Sequence, residues 1–146
     1  MNIEVCSESD IDELAELEKA TMSRPWNKAN FKAAFESYST TLFKAVEDGK
    51  IVGYGGVETV DGVEASLLDI AVQERYRRRG VASALLKKII GFCRGYEIKS
   101  LWLDVYEGNA AARALYVKFG FEPVYSRKNY YPEGDAIVMT LDMRET

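Results

Sequence analysis

Two Asp-Gly dipeptides set at short intervals constrain this sequence most. Asp48-Gly49 and Asp61-Gly62 separate runs at residues 41–47, 51–60 and 64–72, which read as strands. Asp-Gly is the preferred chemistry of tight hairpins, because its residues tolerate positive φ, so the three runs predict an antiparallel meander. The third run leads through Arg75-Tyr76-Arg77-Arg78-Arg79-Gly80 into a helical pattern over about 81–94, with Val81, Leu85, Ile89 and Phe92 along one side.

The flanking segments complete a mixed order. Residues 2–7 alternate weakly and read as a first strand. Residues 10–20 carry Ile11, Leu14 and Leu17 on one helical face, with Ser9 as the expected N-cap. Pro25-Trp26 punctuates, and Asn27 caps a second helix bearing Phe31, Ala34 and Phe35. Residues 100–106 form a strand, Asn109 caps a helix to about 119, and Gly120 sits where a C-terminal glycine belongs. Strands near 122–129 and 135–142 flank the loop YYPEGD. The order β-α-α-β-β-β-α-β-α-β-β is α/β (α+β), and 146 residues suit one domain spanning 1–146.

Composition removes several chemistries. The chain has no histidine, so acid–base work falls to carboxylates, tyrosine, lysine, cysteine or water. Cys6 and Cys93 cannot complete a structural zinc site alone; they read as buried thiols, and no metal is expected. A net charge of −4 argues against DNA or broad nucleic-acid binding. The start MNIEVCSESD does not read as a signal peptide, and no apolar stretch approaches the ~20 residues of a membrane span, so a cytoplasmic protein without membrane contact is the expectation.

Four arginines in the six residues 75–80 stand at the start of a helix. Cations beside free helix N–H groups cost about 0.3–1 kcal/mol each, a cost that an anion between them would offset. Gly80 would let the backbone approach a phosphate, and Ala82 would keep the first turn narrow. A solvated basic run and an RNA contact are the competing readings; a nucleotide triphosphatase loop lacks its GxxxxGK[ST] pattern. On the strand 100–106, parity puts Leu101, Leu103 and Val105 on one face and Trp102, Asp104 and Tyr106 on the other, a composition suited to a cleft.

Arg77-Arg78-Arg79-Gly80-Val81-Ala82 resembles the R/Q-x-x-G-x-G/A signature of the GNAT superfamily of N-acetyltransferases. The segment LWLDVYEGNAAARALYVKFGF resembles the strand and helix that follow it in that family. The resemblance implies a mixed, mostly antiparallel central sheet flanked by four helices, with acetyl-CoA as cosubstrate. It implies that Arg77, Arg78, Arg79, Gly80, Val81, Ala82 and Ser83 hold the pyrophosphate. Backbone groups of Ile70, Ala71 and Val72 would pair with pantetheine and the acetyl carbonyl, and Asn109 would contact the pantetheine arm or serve only as an N-cap. Tyr116 matches the family tyrosine that protonates the departing thiolate; its bland alternative is a core aromatic beside Leu115 and Phe119.

RPWNKANF at 24–31 and RKNYYPEGDAIVMTL at 127–141 resemble the branch of bacterial ribosomal-protein-alanine N-acetyltransferases. That likeness implies a protein or peptide N-terminus as acceptor, from a small-subunit ribosomal protein, with Pro25, Trp26, Tyr130 and Tyr131 on the walls of its groove. Asp104 stands where the branch commonly has the glutamate assigned as general base, shorter by one methylene, roughly 1.5 Å. A bridging water would cover the gap, and Asp69 is the second candidate. Tyr106 replaces a common arginine and would alter the substrate pocket. A GNAT enzyme acting on a small amine, and a non-catalytic coenzyme A-binding module, are the alternatives. Oligomeric state is not encoded in any of these patterns.

Overall fold

The computed structural model describes residues 1–22, 24–59 and 61–144. Seven strands are β1 (Asn2–Val5), β2 (Thr40–Glu47), β3 (Lys50–Thr59), β4 (Glu64–Val72), β5 (Ser100–Tyr106), β6 (Glu122–Tyr131) and β7 (Gly134–Asp142). Four helices are α1 (Ile11–Thr21), α2 (Lys28–Glu36), α3 (Val81–Gly95) and α4 (Ala110–Lys118). The strands form one sheet in the order β1-β2-β3-β4-β5-β7-β6. Every neighbouring pair is antiparallel except β4 with β5. Asp48-Gly49 turns β2 into β3 with both residues at positive φ, as the hairpin reading requires. The expected end of the run 51–60, at residue 60, lies outside the described residues.

Two apolar layers sandwich this sheet. On one face α3 sets Val81, Leu85, Leu86, Ile89, Ile90 and Cys93 against it. Each fully buried side chain of this size contributes about 1.5–3 kcal/mol. Gly53 and Gly55 let the helix lie close, since a Cβ there would come within 2.9 Å of Val81 Cγ1 and 3.0 Å of Ile89 Cδ1. On the other face α1 and α2 bring Leu14, Leu17, Phe31 and Ala34 onto Leu42, Ile51, Tyr54 and Ala71. Cys6 and Cys93 are free, buried thiols whose pKa values burial pushes up to about 12 and about 11.

Two local expectations change. Ser9 does not cap α1. The chain turns earlier, through a 3-10 turn over Glu8–Asp10, where the Ser7 N–H donates to Asp10 Oδ2 at 2.8 Å. The cause is the ion pair of Asp10 with Lys44 on β2, 2.9 Å, which fixes Asp10 before the helix begins. The stretch YYPEGD is not an open loop. Tyr130 and Tyr131 end β6 and Gly134 starts β7, leaving a tight turn at 132–133.

Candidate active site

The site begins where β4 and β5 separate. Their parallel pairing consists of Glu64↔Ser100, Ala65↔Leu101 and Ser66↔Trp102, and it stops there. Just beyond, the β3–β4 register slips between Gly56↔Asp69 and Val57↔Leu67, so Leu68 has no opposite residue. Such a bulge bends its strand and reverses side-chain parity. Leu67 and Val72 pack on the α3 face, whereas Ala71 packs with Tyr54 on the α1/α2 face, and Asp69 shares its parity.

Backbone alternation then decides which groups face the gap. Gln73 N–H donates to Val52 O at 2.9 Å, so Ala71, two residues back, shares the ladder with Tyr54. Ile70 and Val72 turn their backbone groups toward the side that β5 has left. Consistently, Val72 O accepts from Arg77 Nε at 3.3 Å, and Ile70 N–H donates to Asp69 Oδ1 at 2.9 Å. Of the three residues expected to present backbone groups, Ala71 is committed to β3, while Ile70 and Val72 turn away from it, with the Ile70 N–H held by Asp69 and the Val72 carbonyl by Arg77.

At the far end of β4 the arginine turn bends sharply. Arg78 and Gly80 have φ of +64° and +80°, and Gly80 is the N-cap of α3. A glycine N-cap offers no side-chain acceptor, and a Cβ built at Gly80 would meet nothing within 4 Å. The first-turn N–H groups of Val81, Ala82 and Ser83 therefore face open space with a partial positive charge. Arg77, Arg78 and Arg79 are exposed, and Arg79 and Arg75 lie over the Tyr76 ring at 5.4 and 5.7 Å. The Val81 side chain itself is buried in the core, so its backbone alone is available to a ligand.

On the β5 side, parity is as read: Leu101, Leu103 and Val105 are buried, while Asp104 is exposed and Trp102 and Tyr106 half-buried. A cavity of about 340 Å³ lies where the strands part, lined by Ser66, Trp102, Asp104, Tyr125 and Arg127. Asp104 Oδ1 accepts from Arg127 Nε at 3.0 Å, an ion pair with both side chains partly in solvent. Arg127 also donates to the Tyr125 hydroxyl at 3.2 Å and lies over the Tyr125 and Tyr130 rings. Tyr131 stands edge-on to Tyr106 and Tyr130, at 6.0 and 5.0 Å between centroids. Burial, then the field of Asp104, pushes the Tyr131 hydroxyl up to about 12.

Helix α4 is capped by Asn109, whose Oδ1 accepts from Ala112 N–H at 3.1 Å. Its Tyr116 ring is buried edge-on to Phe121, 5.6 Å away. Burial, followed by the negative fields of Asp69 and Tyr131, holds the Tyr116 hydroxyl well above the ordinary tyrosine range. It keeps its proton at neutral pH and can only donate it.

Asp69 belongs to a cluster that the sequence reading located only in part. Glu18 is a fully buried glutamate on the apolar face of α1. It accepts from the Tyr54 hydroxyl and from Trp26 N–H, the latter at 3.0 Å, and lies close enough to Asp69 for its charge to act there. Burial, then the charge of Glu18, pushes the Asp69 carboxyl up to about 7, against the opposing Ile70 N–H. Trp26 packs edge-on to Phe31 at 5.2 Å, Phe31 on Tyr54 at 5.5 Å, and Pro25 is exposed. Glu18 was readable in principle as a carboxylate at the i+4 position from Leu14. Arg127 carried no signal, because its approach to Asp104 depends on the pairing of β6 with β7 and β7 with β5.

The sequence profile of the Acetyltransferase (GNAT) family matches residues 11–121. The chain belongs to the GNAT family of acetyltransferases. As a GNAT enzyme it is an acetyl-CoA-dependent N-acetyltransferase. It is similar to the [ribosomal protein bS18]-alanine N-acetyltransferase of Escherichia coli K12, 34% identical over 137 residues, 91% of each chain. The relative of that name in Haemophilus influenzae is 37% identical over 131 residues, covering 90% of this chain and 86% of its own. The crystal structure of the Escherichia coli ribosomal-protein-S18-alanine N-acetyltransferase superposes with a TM-score of 0.91 at 32% identity, covering 97% of this chain and 93% of its own. Ard1 from Thermoplasma volcanium follows with 0.87 at 27%, covering 97% and 96%. The open Gly80 turn and the unpaired β4 edge of this GNAT enzyme fit a long, phosphorylated thioester. Among the described residues, no group of three or more Cys, Asp or Glu side chains is placed to hold a metal, and no helix is long and apolar enough to cross a membrane.

Proposed function

We propose that this acetyltransferase moves acetyl from acetyl-CoA to the N-terminal α-amine of a protein in the cytoplasm, a small-subunit ribosomal protein being the favoured acceptor. The observation that carries this reading is the parting of β4 from β5, which sets two carboxylates, Asp69 and Asp104, and the proton-holding Tyr116 around one gap. The names of the relatives, at 34% and 37% identity over most of each chain, support the acceptor class.

The pyrophosphate binds the backbone amides from Arg77 to Ser83, with the arginines adding charge. Pantetheine runs along Ile70 and Val72, where Val72 N–H is the donor for the oxyanion formed when the amine attacks, Ile70 N–H being held by Asp69. Asn109 caps α4 at the edge of that path. The thiolate leaves with an intrinsic pKa of about 8.5 and takes a proton from Tyr116. One of the two carboxylates receives the amine's proton, Asp104 being the one at the family's base position. Pro25 and Trp26 form one wall of the acceptor groove, and Tyr106, Tyr130 and Tyr131 the other.

An α-amine of pKa about 8 is about one-tenth neutral at pH 7, whereas a lysine near 10.4 is neutral about once in 2,500. A site with carboxylates and no histidine suits the easier deprotonation. The test compares kcat/KM for a peptide with a free α-amine, the same peptide N-terminally blocked but carrying lysine, and small diamines. The free α-amine should win; equal rates, or small amines outcompeting the peptide, would overturn the acceptor assignment.

A further inference from the structure

We propose that Asp69 is the proton acceptor of the reaction, held for that task by Glu18 and Tyr54, while Asp104 serves as the anchor for Arg127 on the closing hairpin. The inference rests on the acetyl-transfer reading above and deepens it.

The two candidate carboxylates differ in what already holds them. Asp104 is partly solvated and engaged by a guanidinium at 3.0 Å. That bond already occupies its Oδ1. Among the described residues, no cation acts on Asp69. The titratable groups around it are Glu18 from α1, Tyr54 from β3, Tyr116 from α4 and Tyr131 from β6, with Cys6 behind Tyr54. All are neutral or negative, so the surroundings raise proton affinity. It lies next to the bulge, close enough for its charge to bear on Tyr116, the group assigned to the leaving side.

Glu18 explains how Asp69 stays tuned. One carboxylate oxygen is tied to the Tyr54 hydroxyl and the other to Trp26 N–H, so Glu18 is fixed next to Asp69. Deprotonated Asp69 can take a proton from R–NH3⁺: an N–H bond breaks, an O–H bond forms on Asp69, and the freed lone pair attacks the thioester carbonyl. The C–S bond then breaks and the thiolate takes its proton from Tyr116; the second proton, lost from the nitrogen as the amide forms, restores the Tyr116 phenol through solvent, and Asp69 returns the first to solvent. The net products are the amide, the free thiol and one proton, so charge and protons balance without a further reactant. Because Glu18 also holds Trp26, the residue that tunes the base fixes one wall of the acceptor groove. Glu18 and Tyr54 are positioning residues.

Two measurements test this. The first follows Asp69 in protein carrying ¹³C-labelled aspartate, its resonance assigned by its loss in Asp69→Asn. Its midpoint should lie near neutrality and fall by a pH unit or more in Glu18→Gln, which removes the neighbouring charge while keeping a side chain able to hydrogen-bond. The second is the pH profile of kcat/KM on whichever amine the wild type acetylates fastest among an α-amine peptide, a lysine peptide and a diamine. The winning amine reports on the acceptor reading, and the profile reports on Asp69. Asp69→Asn should lose about 10²–10⁴-fold at pH 7, with acetyl-CoA affinity unchanged, and the acidic limb should move down in Glu18→Gln. An unmoved limb in Glu18→Gln, or Asp69→Asn retaining the wild-type profile while Asp104→Asn loses it, would overturn the proposal.

Discussion

Tyr116 and Asp69 show how burial assigns chemistry to single side chains. Both are raised chiefly by loss of solvent, and the consequences differ: the phenol is held protonated, while the carboxyl is brought into the physiological range. Tyr116→Phe should lower kcat within the ~10²–10⁴ range for a general acid, with no recovery at higher pH, because its deficit lies at the leaving group. Asp69 also predicts a stability effect. Its folded value of about 7 lies above the 3.8 of an unperturbed aspartate. The native state therefore keeps a proton that the unfolded state releases, and stability from this group is full below the lower value and lost as pH rises to the higher one. The stability difference between wild type and Asp69→Asn, from urea unfolding at pH 4 and pH 8, should shift in favour of the variant at pH 8, by about 4 kcal/mol at most. A difference independent of pH would contradict the raised value. Taking the difference cancels Asp10 and Asp142, which are lowered and change stability in the opposite direction at acid pH.

Elements show why some features were readable and others not. The hairpins, the α3 stripe, the Asn27 and Asn109 caps and the alternation of β5 are local, so residue spacing revealed them. The Ser7–Asp10 turn was missed because Lys44, far along the chain, fixes it. The β4 bulge was missed because nothing in SLLDIAV announces a parity reversal, and with it went the commitment of Ala71 to β3. The Gly80 turn allows a direct test. Gly80→Glu should abolish most acetyl-CoA binding by calorimetry, since it forces positive φ on a side-chain residue and puts a carboxylate beside the pyrophosphate; wild-type affinity in that variant would refute the assignment. In α2 the Asn27 side chain accepts from Asn30 N–H at 2.9 Å, and Asn30 returns the bond to Asn27 N–H. Asn27→Ala should cost about 0.5–2 kcal/mol by denaturant unfolding.

Across the whole molecule, one departure between two strands organises the function. The sheet supplies an open backbone edge, α3 closes its phosphate end, α1 and α2 deliver the buried carboxylate and Trp26, and the β6–β7 hairpin brings Arg127 and the tyrosines. The thioester side proposed here was legible as sequence motifs because it depends on a contiguous turn and helix start. The proposed acceptor side is assembled from residues 18, 26, 54, 69, 104, 127 and 131, and only some of these carried a local signal. The account stands most directly on where the acetyl group lands. One peptide bearing both a free α-amine and an internal lysine should be incubated with acetyl-CoA at pH 7, and the modified nitrogen located by tandem mass spectrometry. Neutral-amine abundance alone favours the α-nitrogen by about 250-fold, so acetylation there with none detectable on lysine at early times is the predicted result. Equal labelling of both nitrogens, or no transfer to either while acetyl-CoA binds normally, would contradict it.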